Sequence, residues 1–130
     1  MSRKRVLVVA AVIRGHDGRV LLARRPHGVH QGGLWEFPGG KPESGESLEA
    51  ALVREIREEL RVDIRVVRQF DRSQTGDIDL VCFVAELTAE APTSSTDHSE
   101  IRWVRESELS KLDWAEPDLP ALKRILIPFC

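Results

Sequence analysis

Glu55, Glu58 and Glu59 stand at i, i+3 and i+4 of one segment with helical apolar periodicity. At about 100° per residue, Glu55 and Glu59 point only ~40° apart, with Glu58 ~60° to the side of Glu55. Leu48, Ala51, Leu52, Ile56 and Leu60 form the apolar stripe of the same wheel, and Glu55 and Glu59 fall inside its arc. Glutamates that served solubility alone would occupy the opposite face, where Arg57 lies. Carboxylates crowded at the edge of a buried face repel one another, and a hard divalent cation that takes oxygen ligands is the natural partner for them. Taken alone, the run also fits a solvated helix laced with pairs such as Arg54–Glu58.

The flanking residues decide between these readings. Gly39 and Gly40 suggest a tight glycine turn with carbonyls open to an ion. Pro42, Ser44 and Gly45 mark a loop, and Ser47 is placed to cap the helix that follows. A glycine turn, a short loop and a carboxylate-bearing helix therefore come in direct succession, with Glu46 and Arg54 at set offsets.

This stretch resembles the Nudix box of Nudix hydrolases, G-x5-E-x7-R-E-U-x-E-E-x-G-U with U aliphatic. Gly40, Glu46, Arg54, Glu55, Ile56, Glu58, Glu59 and Val62 each fall on a motif position. Arg61 stands where the family has glycine, a position that serves as a left-handed helix cap. A residue with a Cβ costs roughly 1–2 kcal/mol in that conformation. The resemblance covers nearly the whole chain and implies an α/β (α+β) fold, an α/β/α sandwich around a mixed β-sheet.

Composition agrees with a small enzyme. The 130 residues are expected to form a single domain over 1–130, long enough to enclose a real core. A net charge of −2 lacks the basic excess of a nonspecific nucleic-acid binder, so no polymeric nucleic acid is expected as a partner. Cys82 and the terminal Cys130 suggest neither a disulfide framework nor a cysteine metal site. The apolar run after the basic start is too short to span a membrane and carries no small-residue cleavage site. The expected setting is the reducing cytoplasm, the expected state a monomer or homodimer.

Strands are expected at 5–13 and 19–24, joined by a hairpin turn at 15–18. Further strands are expected at 63–70 and 78–87 with 71–77 between them, and at 101–104. Residues 88–99 read as a polar, mobile connection, 107–111 as a turn of helix and 118–126 as the closing helix.

The resemblance also implies chemistry. Nudix enzymes hydrolyse a diphosphate linked to another group, usually a nucleoside. Glu55, Glu58 and Glu59 would be Mg2+ ligands or water activators, with Mn2+ able to substitute, and Gly39 would add a carbonyl ligand. Glu55 would be the general base, while Arg54 and Glu46 would orient the carboxylates. A loop acid is also implied, for which Asp97 is favoured over Glu100. His98 beside them either contacts substrate or is simply exposed.

The run 21–41 is similar to the MutT-type subgroup of nucleoside triphosphate pyrophosphohydrolases. By that match Arg25 would grip phosphate, with Arg24 turned towards solvent or a carboxylate. Phe37 would line a nucleobase pocket, unless it is plain core. Asp118 would recognise the base where that subgroup has asparagine; an ionised aspartate only accepts hydrogen bonds, and the residue can instead cap the last helix. The implied reaction releases a nucleoside monophosphate and pyrophosphate. 8-Oxo-dGTP is ranked first and CTP or dCTP second. Nudix hydrolysis of ADP-ribose or dinucleoside polyphosphates, and a non-catalytic nucleotide-binding module, are the remaining alternatives.

Overall fold

The computed structural model describes residues 5–127. Its centre is β1 (Val6–Ile13), which is fully buried from Val9 onwards. A strand with a continuous apolar run needs cover on both faces, and β1 has it. Val9, Ala11 and Ile13 pack with Leu52 and Ile56 of α1 (Leu48–Leu60). Ala10 and Val12 share the opposite core with Ala121 and Leu122 of α3 (Leu119–Leu126).

Neighbouring strands complete a mixed sheet. β1 runs parallel to β6 (Ile78–Leu87), from Val6 opposite Ile78 to Ile13 opposite Ala85. β5 (Ile64–Thr75) is antiparallel to β6 at one edge, and β4 (Gly39–Gly40) is antiparallel to β1 at the other. A second, antiparallel sheet places β2 (Val20–Arg24) between β3 (Trp35–Glu36) and β7 (Glu100–Val104). The expected mixed sheet with helices is present, with this small sheet beside it.

Four expectations need correction. The Gly15–Gly18 turn forms, with the Gly18 N–H donating to the Gly15 carbonyl at 3.0 Å. Beyond one bridge, Arg14 to Val20, the strands it joins part into different sheets, because β6 and β4 already occupy both edges of β1. β5 continues to Thr75, past the expected end at Phe70. Register shifts between Val66 and Arg68 and between Gln69 and Asp71 interrupt its alternation while the ladder persists. The connection at 88–99 is fastened at Thr96, whose N–H donates to the Glu59 carbonyl at 2.9 Å. The closing segment starts as a 3-10 turn (Glu116–Asp118) before α3. The short strand begins at Glu100, and the expected turn of helix is α2 (Glu106–Leu109). Cys82 is buried in β6, where burial pushes its thiol pKa well up, while Cys130 and the basic start before Arg5 lie outside the described residues.

Candidate active site

Gly39 and Gly40 do not form the expected tight turn. They pair with Ala10 and Val9 in β4, and neither has a positive φ. Their lack of a side chain serves close approach instead. A Cβ on Gly39 would collide with the Val9 carbonyl oxygen, and one on Gly40 would fall on the Glu55 carboxyl group. Gly40 thus leaves the space that Glu55 fills, and α1 packs against the β1–β4 edge.

Ser47 starts α1 as expected, its hydroxyl accepting the Ala50 N–H at 3.1 Å. From this helix Arg54 reaches back over the loop. Its Nε and Nη2 donate to the two Glu46 oxygens at 2.7 and 3.0 Å, and Nη2 also reaches the Lys41 carbonyl at 3.1 Å. Nη1 donates to Glu55 at 3.0 Å and to Glu58 at 3.1 Å. The Arg54 guanidinium holds the Glu46 carboxyl below the usual carboxylate range, and Glu46 in turn raises Arg54. Glu46 and Arg54 therefore lock the loop to the helix and fix the rotamer of Glu55.

The three glutamates take different positions. Glu59 is 3% exposed, and its Oε2 has no hydrogen-bond partner. Burial, then the charges of Glu55 and Asp97, push its pKa up to about 9. Glu55 lies beside it, within hydrogen-bonding reach. Glu58 departs from the expected cluster: it is exposed and held by Arg54, because it projects from the flank of the helix. Asp97 is exposed, its Oδ1 accepting the Thr96 hydroxyl at 3.0 Å. Glu100 pairs with Arg102 at 2.8 Å and Arg24 at 3.7 Å, whereas the charge of Asp97 acts on Glu59. Arg24 thus points to a carboxylate, as expected. Among the described residues, no three acidic, imidazole or thiol side chains converge on one point as they stand.

On the other side of Glu36 lies a cavity of ≈ 460 Å³ lined by Arg25, His30, Gln31, Glu36, Leu80 and Asp118, among others. Arg25 is anchored by the His30 carbonyl at 2.9 Å and by Glu36 Oε1 at 3.1 Å. Asp118 is 5% exposed, and its Oδ2 accepts the Phe37 N–H at 2.9 Å. It makes no capping bond to α3, so the capping role is not taken up. Burial pushes its pKa up to about 8, opposed by the Phe37 N–H. Burial thus favours the protonated form of Asp118, which can donate as well as accept, where an ionised aspartate only accepts. Phe37 is 3% exposed and packs against Trp114 at 5.1 Å between ring centroids. Its ring belongs to the core and does not line this cavity; its amide orients Asp118.

Two residues occupy the junction: Glu36, which sequence reasoning passed over, and His98, which it read as a substrate contact or an exposed loop residue. Glu36 Oε2 lies 2.9 Å from His98 Nε2, and the His98 side chain is 4% exposed, not free in the loop. His98 Nδ1 lies 3.7 Å from Glu59 Oε1. The signal for Glu36 was an acid set between Trp35 and Phe37, two inward-facing aromatic residues; nothing local marked His98 as buried.

The site fits a hard cation by its chemistry. Glu59 Oε2 is a buried, unpartnered oxygen beside a second carboxylate, which a divalent ion would relieve. Residues 4–125 match the NUDIX domain, and the chain belongs to the Nudix hydrolase family, whose members use divalent metal ions. The CTP pyrophosphohydrolase of Escherichia coli is 36% identical over 126 residues, 95% of this chain and 93% of that protein. The 8-oxo-dGTP diphosphatase of Proteus vulgaris is 45% identical over 64 residues, 49% of this chain and 57% of that one. A MutT structure from work on Aliivibrio salmonicida and Vibrio cholerae superposes with a TM-score of 0.75 at 32% identity, covering 95% and 98% of the two chains. Within the family the chain is a MutT-like enzyme, a hydrolase of nucleotide phosphoanhydrides. Among the described residues no helix is long and apolar enough to cross a membrane.

Proposed function

We propose that this chain is a Mg2+-dependent nucleoside triphosphate pyrophosphohydrolase that removes 8-oxo-dGTP from the cytoplasmic nucleotide pool. The observation that carries this reading is Glu36. It lines the Arg25–Asp118 cavity, and its charge also raises the pKa of both Asp118 and Glu59. A nucleotide seated against Arg25 and Asp118 would therefore bring its phosphates to the Glu55–Glu59 pair. Arg25 offers a guanidinium for phosphate oxygens.

Glu55 and Glu59 would hold the ion with the Gly39 carbonyl, and Glu58 and Asp97 would join them only after reorienting. The bound ion supplies charge neutralisation for the diphosphate and eases deprotonation of water. Glu55, fixed by Arg54, takes the proton from the attacking water as general base. Water adds to phosphorus, the bridging oxygen between the α- and β-phosphates leaves, and nucleoside monophosphate and pyrophosphate result.

A second reading, a CTP or dCTP pyrophosphohydrolase, is favoured by the similarity to the E. coli enzyme over nearly the whole chain. Oxidised guanine presents N7–H beside O6, and cytosine presents its N4 amino group beside N3. A neutral Asp118 matches either donor–acceptor pair. A screen of common and oxidised nucleoside triphosphates with Mg2+, scoring pyrophosphate against phosphate, tests both readings. Pyrophosphate release with 8-oxo-dGTP as the preferred substrate is expected. Preference for CTP would transfer the assignment, and phosphate release alone would remove it.

A further inference from the structure

A continuous chain of polar contacts links the cavity to the loop that carries Asp97. Arg25 Nη1 donates to Glu36 Oε1 at 3.1 Å, and Glu36 Oε2 lies 2.9 Å from His98 Nε2. His98 Nδ1 lies 2.9 Å from Ser95 Oγ, which accepts the Asp97 N–H at 3.3 Å. The directions follow from the partners. A carboxylate at Nε2 requires a donor there, so in the neutral ring Nδ1 accepts the Ser95 hydroxyl proton. The middle of the chain is dry, with the His98 side chain 4% exposed and Glu36 18%. In such surroundings a satisfied chain of hydrogen bonds selects one arrangement.

Its two ends serve different places. Arg25 and Glu36 line the cavity. Ser95 and His98 flank Asp97, next to the point where the Thr96 N–H is tied to the Glu59 carbonyl at 2.9 Å. Without these ties, the entropy of a polar connection would spread Asp97 over many positions.

We infer that Glu36, His98 and Ser95 are positioning residues that hold the Asp97 loop beside Glu59 and couple its placement to Arg25 in the cavity. The inference rests on the reading of this site as a nucleoside triphosphate hydrolase. Ser95 acts only on the loop end of the chain. Glu36 acts on both ends.

Amide hydrogen exchange on the metal-free protein without nucleotide needs no turnover. Ser95→Ala and His98→Ala are expected to speed exchange at Asp97 about tenfold, the value of one hydrogen bond. Exchange in α1 and β6 should stay at wild-type rates. With the best triphosphate from the substrate screen, Ser95→Ala is expected to lower kcat about tenfold at unchanged KM. Glu36→Ala should lower kcat and raise KM together. Glu36→Gln keeps an acceptor for Arg25 but offers His98 a second donor, so it should recover KM more than kcat. Wild-type exchange at Asp97 in both loop variants, or faster exchange with kcat unchanged, overturns the inference. A wild-type protein that cleaves no triphosphate instead removes the reading of the site, which the exchange experiment does not depend on.

Discussion

Glu55 and Glu59 are two largely buried carboxyl groups set side by side, and Glu59 Oε2 has no hydrogen-bond partner. Replacing either with Gln keeps the volume but removes the charge that a cation needs. Turnover is expected to fall by two or more orders of magnitude with the fold retained, measured as steady-state kinetics beside a melting curve. Near-normal turnover in both variants would remove their role. Asp118 calls for a different experiment. A carboxyl kept neutral by burial resembles an amide in offering one donor and one acceptor, so Asp118→Asn should leave the overall rate within about tenfold and preserve the order of base preference at pH 7. A reversal of that order would mean that the ionised form recognises the base. Residue types near the helix were informative in the sequence. The roles of Phe37 and His98 were not, because burial, which decides both, is set by segments far away in the chain.

The helix that carries the glutamates was legible from its cap, its apolar stripe and the offsets of its charges, and all three are local. Its end is where local chemistry is strained. Arg61 adopts φ 57° and ψ 36° and donates its N–H to the Arg57 carbonyl at 3.0 Å, the left-handed cap that glycine makes without cost. Arg61→Gly should therefore raise stability by about 1 kcal/mol, with kcat and KM unchanged. Denaturant melts and kinetics on one preparation check this, and a loss of activity would tie Arg61 to the site. Longer elements were harder to read. The polar residues of β5 hide its strand character because it lies at a sheet edge, and its two register shifts break the alternation that marks strands.

At the scale of the molecule, two buried acids make stability depend on pH. Asp118 and Glu59 have folded pKa values of about 8 and about 9, above their ordinary 3.8 and 4.5. Across that window the folded protein keeps protons that the unfolded chain has released. Their contribution is thus fully present below pH 3.8 and is lost as pH rises through the folded values. The stability of the wild type relative to Asp118→Asn should decline over this range by up to about 1.4 kcal/mol per pH unit and then level off. Denaturant titrations from pH 4 to 9 check it, and parallel curves would mean that Asp118 is ionised in the fold. Mg2+ should raise the melting temperature of the wild type by mass action. In Glu55→Gln/Glu59→Gln the shift should vanish, and an equal shift in both would place the ion elsewhere.

By itself the sequence determined the family, the reaction class and the helix that bears the carboxylates. Those rest on spacings within one short segment, where the geometry of a helix converts residue number directly into position. Tertiary structure decided which of those carboxylates face each other, that Gly40 makes room for Glu55, and that Glu36 meets His98 across 62 residues of chain. Contacts at such separations depend on how the two sheets, the helices and a long connection pack together. No periodicity in the sequence encodes them, so the Arg25–Asp118 cavity and its link to the Glu55–Glu59 pair emerged only from the fold.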